Sequence, residues 1–417
     1  MFQHIFGDFL GCSFKVTSLA EEFSAFTGPR INYSSQHIEQ TFQIIPCGLL
    51  DEQIVQTALV PPVSVWEKET VLFPQPAGNI PFDVFAMAFY LLSRYEEWQS
   101  PHTDEHGRFL ASASVAHGTN NLQRPWLDCV LQKFKAQVLA MFPHISCKQH
   151  SFSFTPTIDI DMAYCYAGKP LWRQLAAAGK DLLTGKGQQL GERIAVLNGT
   201  KPDPFDCYEL LNRLHAQLPA IYFFLLADYT DKDKNLKWNG KTMHEVIQKT
   251  ARHSVTGIHP SYYSSEKPGL FAKEIARLRS LSAGQVIHSR QHFLRMNYHR
   301  TCLQLIENGI QHEYSMGYAE TTGFRASTAR SFAFFNLTAN RQTGLTIHPF
   351  MLMDVTLKNY MGLTAEQAIE VAAEIIQQVK QVNGELISLW HNESLSDYGD
   401  WKGWRKVYEQ LIYKATA

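Results

Sequence analysis

No stretch of 18 apolar residues occurs in the 417-residue chain, so no membrane-spanning helix and no membrane insertion are expected. A Cys-x-x-Cys pair is also missing, and seven cysteines, an odd number, read as reduced thiols that exclude a cysteine-based zinc site. There is no excess of either charge: 38 basic residues against 39 acidic ones give a net charge of −1, which supplies no electrostatic reason for a nucleic-acid or anionic-membrane partner. Internal repeats and low-complexity segments are lacking. The start, Met1-Phe-Gln-His-Ile-Phe-Gly-Asp-Phe-Leu10, has neither the basic residues nor the apolar run of a secretory signal, and a cytoplasmic location is the expectation. What the chain does have is 45% hydrophobic content, enough for a large core and two domains.

The most telling stretch is Phe152-Ser-Phe-Thr-Pro-Thr-Ile-Asp-Ile-Asp161, a β-prone run ending in two acids spaced i, i+2. Side chains so spaced leave a strand on the same face. Buried carboxylates cost several kcal/mol unless a cation compensates them, and a divalent metal does this while leaving the second acid free to take a proton. Histidines stand in matching places. His259 follows Val255-Thr-Gly-Ile, His292 closes Gln285-Val-Ile-His-Ser-Arg-Gln-His, and His391 ends Glu385-Leu-Ile-Ser-Leu-Trp-His.

From residue 150 onward apolar runs fall near 152–158, 220–226, 254–258, 285–289, 311–315, 344–348 and 385–390. Helical spacing fills most of the intervals, at Phe205–Leu218, Thr242–His253, Leu270–Leu281, Tyr298–Asn308 and Thr364–Val382. Alternation of this kind predicts a parallel sheet wrapped by helices, and the length suits a closed α/β barrel with its chemistry at the strands' C-terminal ends. Asp159, Asp161, His259, His292 and His391 all fall at such ends.

These motifs, in this order, resemble the polysaccharide deacetylase (NodB-homology) superfamily over roughly residues 150–395. The resemblance implies a distorted barrel of about seven β/α units and a divalent metal, zinc first and nickel, cobalt or manganese as alternatives. It also implies removal of an acetyl group from an acetylated sugar or glycan. Asp159 matches the family's catalytic base, Asp161 its metal-binding acid, His259 its first metal-ligand histidine and His391 the histidine that protonates the leaving group. The usual second ligand lies four residues beyond the first, where this chain has Tyr263, and His292 is taken as the third metal ligand on position instead. The family's Arg-x-Pro-Tyr segment has no proline counterpart here, which leaves Arg290 or Arg295 to orient the base. Arg325, in Gly323-Phe-Arg325, is a further catalytic candidate that contacts substrate or braces an acid. His348, in Leu345-Thr-Ile-His, competes with His391 and His292 for a site role.

Hydrolysis of an amide or ester needs a nucleophile available near neutral pH, which a metal-activated water supplies, with one group to accept a proton and another to donate one. Two other readings fit parts of the pattern. One is a glycan-binding or scaffold barrel that has lost catalysis, motivated by Tyr263; the other is a glycoside hydrolase working through Asp159 and Asp161, although acids at i, i+2 sit too close for an opposed pair.

Residues 1–148 read as a smaller α/β domain preceding the barrel of 149–417. Strands are expected at Arg30-Ile-Asn-Tyr-Ser and Phe42-Gln-Ile-Ile-Pro and helices at Pro81–Trp98 and Pro125–Phe142, with a polar connection over 143–150. The polar cluster Ser93-Arg-Tyr-Glu-Glu97 followed by Asp104-Glu-His-Gly-Arg-Phe109 is either a frame for the barrel mouth that touches a sugar chain or a helix end and turn bearing surface ion pairs.

Overall fold

The computed structural model describes residues 1–56, 59–99, 102–282 and 284–417. In the N-terminal part, β1 (Ile31–Tyr33) and β2 (Phe42–Ile44) pair in parallel, and β3 (Val63–Trp66) and β4 (Glu69–Leu72) form an antiparallel hairpin. The helix Val84–Leu92 is buried on nearly every side and is started by Asp83, whose side chain accepts from Phe85 N and Ala86 N. Capping of this kind satisfies donors that a helix start leaves without partners. A longer helix, Trp126–Met141, packs beside it.

Nine further strands form one sheet: β5 (Ser153–Ile160), β6 (Ile221–Leu225), β7 (Val255–His259), β8 (His288–Ser289), β9 (His312–Glu313), β10 (Phe332–Asn336), β11 (Arg341–Ile347), β12 (Leu352–Met353) and β13 (Glu385–His391). Their order is β10-β11-β9-β8-β7-β6-β5-β13-β12, all parallel except the β10–β11 pair. All seven expected strands are therefore present, but strand pairing among the described residues does not close a barrel. The reason is local. β11 and β12 belong to one run that pairs first with β9 and then with β13, interrupted at His348–Met351, where Pro349 has no N–H to offer a ladder.

Both faces of this sheet are covered, as parallel sheets require. On β6, Tyr222 and Phe224 join the main core, while Ile221 and Phe223 join a second cluster with Leu294, Tyr314, Phe350, Ile387 and Leu389. The alternation on β13 is the same, with Leu386 and Trp390 in the main core. Strand periodicity thus divides the side chains between the outside of a curled sheet and its interior. Gly257 of β7 makes room in that interior: a Cβ there would lie 2.6 Å from the Phe223 ring and 2.9 Å from the His288 carbonyl oxygen.

The main core runs without a break across residue 148, since Phe82, Phe85, Trp126 and Phe134 belong to the same cluster as Ile158, Phe324 and Leu386. Buried polar contacts cross as well. Asp128 accepts from Thr328 Oγ1 at 2.9 Å and from Ala329 N at 2.7 Å. The Ser93–Glu97 cluster is buried, not a surface feature: Arg94 bonds Glu96 and Glu97, and Glu97 is also gripped by Arg325. Helices absent from the expectation occupy Leu171–Leu183, Gly187–Leu197 and Arg405–Thr416. The seven cysteines are free thiols, and among the described residues no helix is long and apolar enough to cross a membrane.

Candidate metal centre

The register of the sheet brings distant residues to one place. His391 of β13 pairs with Asp159 of β5, Asp159 with Phe223 of β6, and Leu225 of β6 with His259 of β7. Arg290, directly after β8, donates its backbone N–H to the Ile258 carbonyl of β7. Four C-terminal strand ends therefore converge.

Asp161 lies at the centre. His259 Nε2 stands 3.2 Å from Asp161 Oδ1, His292 Nε2 3.3 Å from Oδ2, and His391 Nε2 3.8 Å from Oδ2. One ligand atom from each of Asp161, His259 and His292 lies within 4.8 Å of the others. Asp159 sits beside them, with Oδ2 3.7 Å from His259 Nε2.

The other nitrogen of each histidine is fixed by an acceptor. His259 Nδ1 donates to the Arg290 carbonyl at 2.6 Å, His292 Nδ1 to Asp233 Oδ1 at 2.9 Å, and His391 Nδ1 to Asp354 Oδ1 at 2.9 Å. A carbonyl or carboxylate oxygen can only accept, so Nδ1 carries a proton and Nε2 is the atom turned toward Asp161, a lone pair in any ring that is neutral. Two such nitrogens and a carboxylate are a donor set suited to a divalent transition metal. Asp161 Oδ1 is buried without a hydrogen-bond partner, although the side chain as a whole is 22% exposed. An oxygen in that condition is explained by a cation that takes its lone pairs. The residues present fit a metal.

The electrostatics agree. Burial pushes the Asp161 carboxyl up, but His292 and His259 outweigh it and hold the pKa well below the usual carboxylate range. Burial likewise works against charge on His292, yet Asp161 and Asp233 raise its pKa to about 9. His391 is held well above its ordinary value, with Asp354, Asp161 and Asp159 outweighing burial. At His292 and His391, then, the neighbouring acids outweigh burial and favour the protonated ring. Glu393, two residues past His391, is pushed up to about 7, chiefly by burial, and is also repelled by Asp161 and Asp354.

Of Arg290 and Arg295, it is Arg290 that stands beside Asp159. Its Nη1 donates to Asp159 Oδ1 at 3.1 Å and to Thr157 Oγ1, and Nε donates to the Tyr314 carbonyl at 3.0 Å. Its guanidinium carbon stands 4.8 Å from the Phe223 ring centroid and 5.6 Å from that of Phe350. Arg295 is engaged elsewhere, by the carbonyls of His106 and Tyr262 and by Glu266. Arg325 is not brought to the Asp161 cluster: it grips Glu97 through Nε at 3.0 Å and Nη2 at 2.7 Å, and its Nη1 donates to the Gly317 carbonyl. Burial notwithstanding, Arg325 and Arg94 lower the Glu97 pKa to about 2. His348 hydrogen-bonds His312 and Ser331 and stacks on Tyr314, so none of these partners belongs to the centre. Tyr263 bonds Asp231 at the surface.

Sequence reasoning missed Asp233 and Asp354, the two acids that orient His292 and His391. Asp354 had a readable signal, since Leu352-Met-Asp354 repeats at small scale an apolar run closed by an acid. Asp233 lies in the Thr230-Asp-Lys-Asp233 loop beyond β6, where several acids compete and spacing singles out none.

Comparison with known proteins adds two likenesses. Residues 1–143 match a family of unknown function, DUF7033. No curated protein matches the chain. A solved structure from Mycobacterium smegmatis, provisionally named a polysaccharide deacetylase, is similar over 65% of this chain and 85% of its own, with 14% identity and a TM-score of 0.42.

Proposed function

We propose that this chain is a metal-dependent hydrolase that removes an acetyl group from an acetylated sugar or glycan. The observation that carries the reading is the aim of three histidines, each fixed at Nδ1, on Asp161 beside an arginine-held Asp159. Asp161, His259 and His292 would hold the ion, with zinc the best match to two imidazoles and a carboxylate. When bound, the ion supplies Lewis-acid polarisation of the acetyl carbonyl and a water acidic enough to attack near neutral pH.

The remaining work belongs to side chains. Arg290 pins Asp159 Oδ1 and leaves Oδ2 facing the centre, where it accepts the proton of the attacking water. His391, kept protonated by Asp354, returns a proton to the departing nitrogen or oxygen. His292 takes the place that a second histidine would have filled at position 263. A glycoside hydrolase is a poorer fit, because Asp159 and Asp161 both approach the same His259 Nε2, at 3.7 and 3.2 Å, whereas such enzymes set their carboxyls on either side of the bond to be cleaved.

The test is metal content and acetate release. The parent protein should bind about one equivalent of metal and release acetate from an acetylated amino-sugar oligomer, a reaction stopped by chelation. Asp161→Ala and His259→Ala should each lose the metal while remaining folded, and His292→Ala should weaken its binding. Full occupancy in the first two variants defeats the ligand assignment; a metal-free parent that binds glycan and ignores chelators is a scaffold instead.

A further inference from the structure

Between β5 and β6 the chain forms a helical hairpin, Leu171–Leu183 and Gly187–Leu197, whose polarity is inverted. The side chains that the first helix buries are Gln174 and Asp181, and the second buries Arg193 along with Val196. Arg193 joins the two, donating to Asp181 Oδ2 at 2.9 Å and Gln174 Oε1 at 3.0 Å. The apolar residues face outward: Leu171, Trp172, Leu175, Leu182 and Leu183 are 62–89% exposed, and Ile194 and Leu197 on the second helix are 50% and 48% exposed. An ordinary surface helix does the opposite. At ~100° per residue the five residues of the first helix span an arc of about 120°, and Arg173 and Lys180 lie together about 60–80° past its edge.

Charge says what covers this face. Residues 169–201 contain four lysines and two arginines against one aspartate and one glutamate, in a chain whose net charge is −1. Arg193 is paired with Asp181, while Lys180, Lys186 and Lys201 are exposed. Interfaces between protein copies are depleted in lysine, whereas leucine and tryptophan bordered by lysine and arginine is the composition of helices that lie in a membrane surface.

The hairpin also stands next to the candidate centre. Arg173 donates to the carbonyls of Lys234 and Asn235, immediately after the Asp233 that fixes His292. Trp172 meets the half-exposed Tyr229 edge-on, and Glu192 of the second helix accepts from Tyr398, seven residues past His391.

We propose that this hairpin is an interfacial docking element for an anionic lipid bilayer, its leucine and tryptophan side chains entering the outer acyl boundary while its lysines meet the head groups. Docking would turn the end of the sheet that bears Asp161 toward the membrane. Lipid binding can be read without turnover, so this proposal and the hydrolase reading fail separately.

The experiment is sedimentation of the full chain with vesicles of phosphatidylcholine alone or with about 30% phosphatidylglycerol, at low and high salt. Binding should be about tenfold or more stronger to the anionic vesicles and should weaken with salt. The quadruple variant Trp172→Ser, Leu175→Gln, Leu182→Gln, Leu183→Gln should lose about tenfold or more, and Lys180→Glu with Lys186→Glu should bring anionic binding down to the neutral-vesicle level. All six side chains are exposed, so an unchanged urea midpoint and metal content will show that the variants remain folded. Equal sedimentation of parent and quadruple variant overturns the proposal, as does failure of the folded parent to bind anionic vesicles. A parent that dimerises through this face and ignores lipid also overturns it, and assigns the face to a second copy.

Discussion

Replacing Asp354 by Asn tests how His391 is kept protonated. The carboxylate of Asp354 is fully buried; Oδ1 accepts from His391 Nδ1 at 2.9 Å and from Val355 N at 2.7 Å, and Oδ2 accepts from His391 N at 2.8 Å. With charge centres ~4 Å apart and an effective dielectric of about 20, the ion pair is worth about 4 kcal/mol, or about 3 pKa units. Asp161, 3.8 Å from His391 Nε2, also raises the histidine, but its charge is largely neutralised once it holds a cation. On the proposed function, Asp354 would therefore be the main support of a protonated His391 in the metal-loaded protein. A histidine acting as general acid works below its pKa and fails as pH rises through it. Since the folded value is raised, the parent should keep activity well above pH ~6.5, the unperturbed histidine value, and lose it on a high-pH limb. Asp354→Asn should move that limb down by about 1–3 units. Asn can keep the Nδ1 acceptor, but its NH2 then faces the His391 N–H, so a stability loss of about 1–3 kcal/mol is expected too. The decisive readout is thus the position of the limb in kcat against pH, measured on folded, metal-loaded variant. An unmoved limb in such protein would refute the assignment of His391 as the acid held by Asp354.

Asp159→Asn preserves size and one acceptor for Arg290 but cannot take a proton; turnover should fall by orders of magnitude with metal content unchanged, and a near-parental rate of acetate release would remove Asp159 as the base. Glu97→Gln leaves Arg325 and Arg94 buried with less compensation, so the urea-derived stability should drop by about 3–5 kcal/mol while bound metal stays at the parental level. Loss of metal with unchanged stability would instead tie Arg325 to the centre.

Much of the centre was legible because strand ends are legible. A β-branched run followed at once by His or Asp marks a side chain at the rim of a sheet, and that pattern points to Asp159, Asp161, His259 and His391, which the fold brings to one place. His292 lies three residues beyond a two-residue strand, on a turn where Phe293 has φ 60°, so its place depends on a backbone conformation that periodicity does not encode. The open sheet was hidden for a related reason: β8, β9 and β12 are each two residues long, and β10 (Phe332–Asn336) falls outside every run expected from the sequence, the run near 344–348 being β11 alone. The helices Leu171–Leu183 and Gly187–Leu197 have helical spacing in the sequence, but the spacing does not say that the apolar side is the outer one, as it is in the fold.

The two buried arginines show where sequence reasoning reaches its limit and what the N-terminal region contributes. Arg290 directly follows β8 and Arg325 lies in the long connection between β9 and β10, yet both are almost wholly buried and both bind a carboxylate. What separates them is the partner, and partnership across a long sequence interval leaves no local trace. Arg290 meets Asp159, two residues before Asp161, so its charge acts on the candidate centre. Arg325 meets Glu97, from the region matching DUF7033, so its charge acts on assembly. A few residues on, Asp128 holds Thr328 and Ala329 just before β10. The N-terminal region therefore fixes the segment 325–329 through buried, fully engaged carboxylates. That segment leads through β10 and β11 into β12 and Asp354, the acid that holds His391. Bracing of this segment by Glu97 and Asp128 gives the first 148 residues a physical connection to the centre without placing any of their side chains in it.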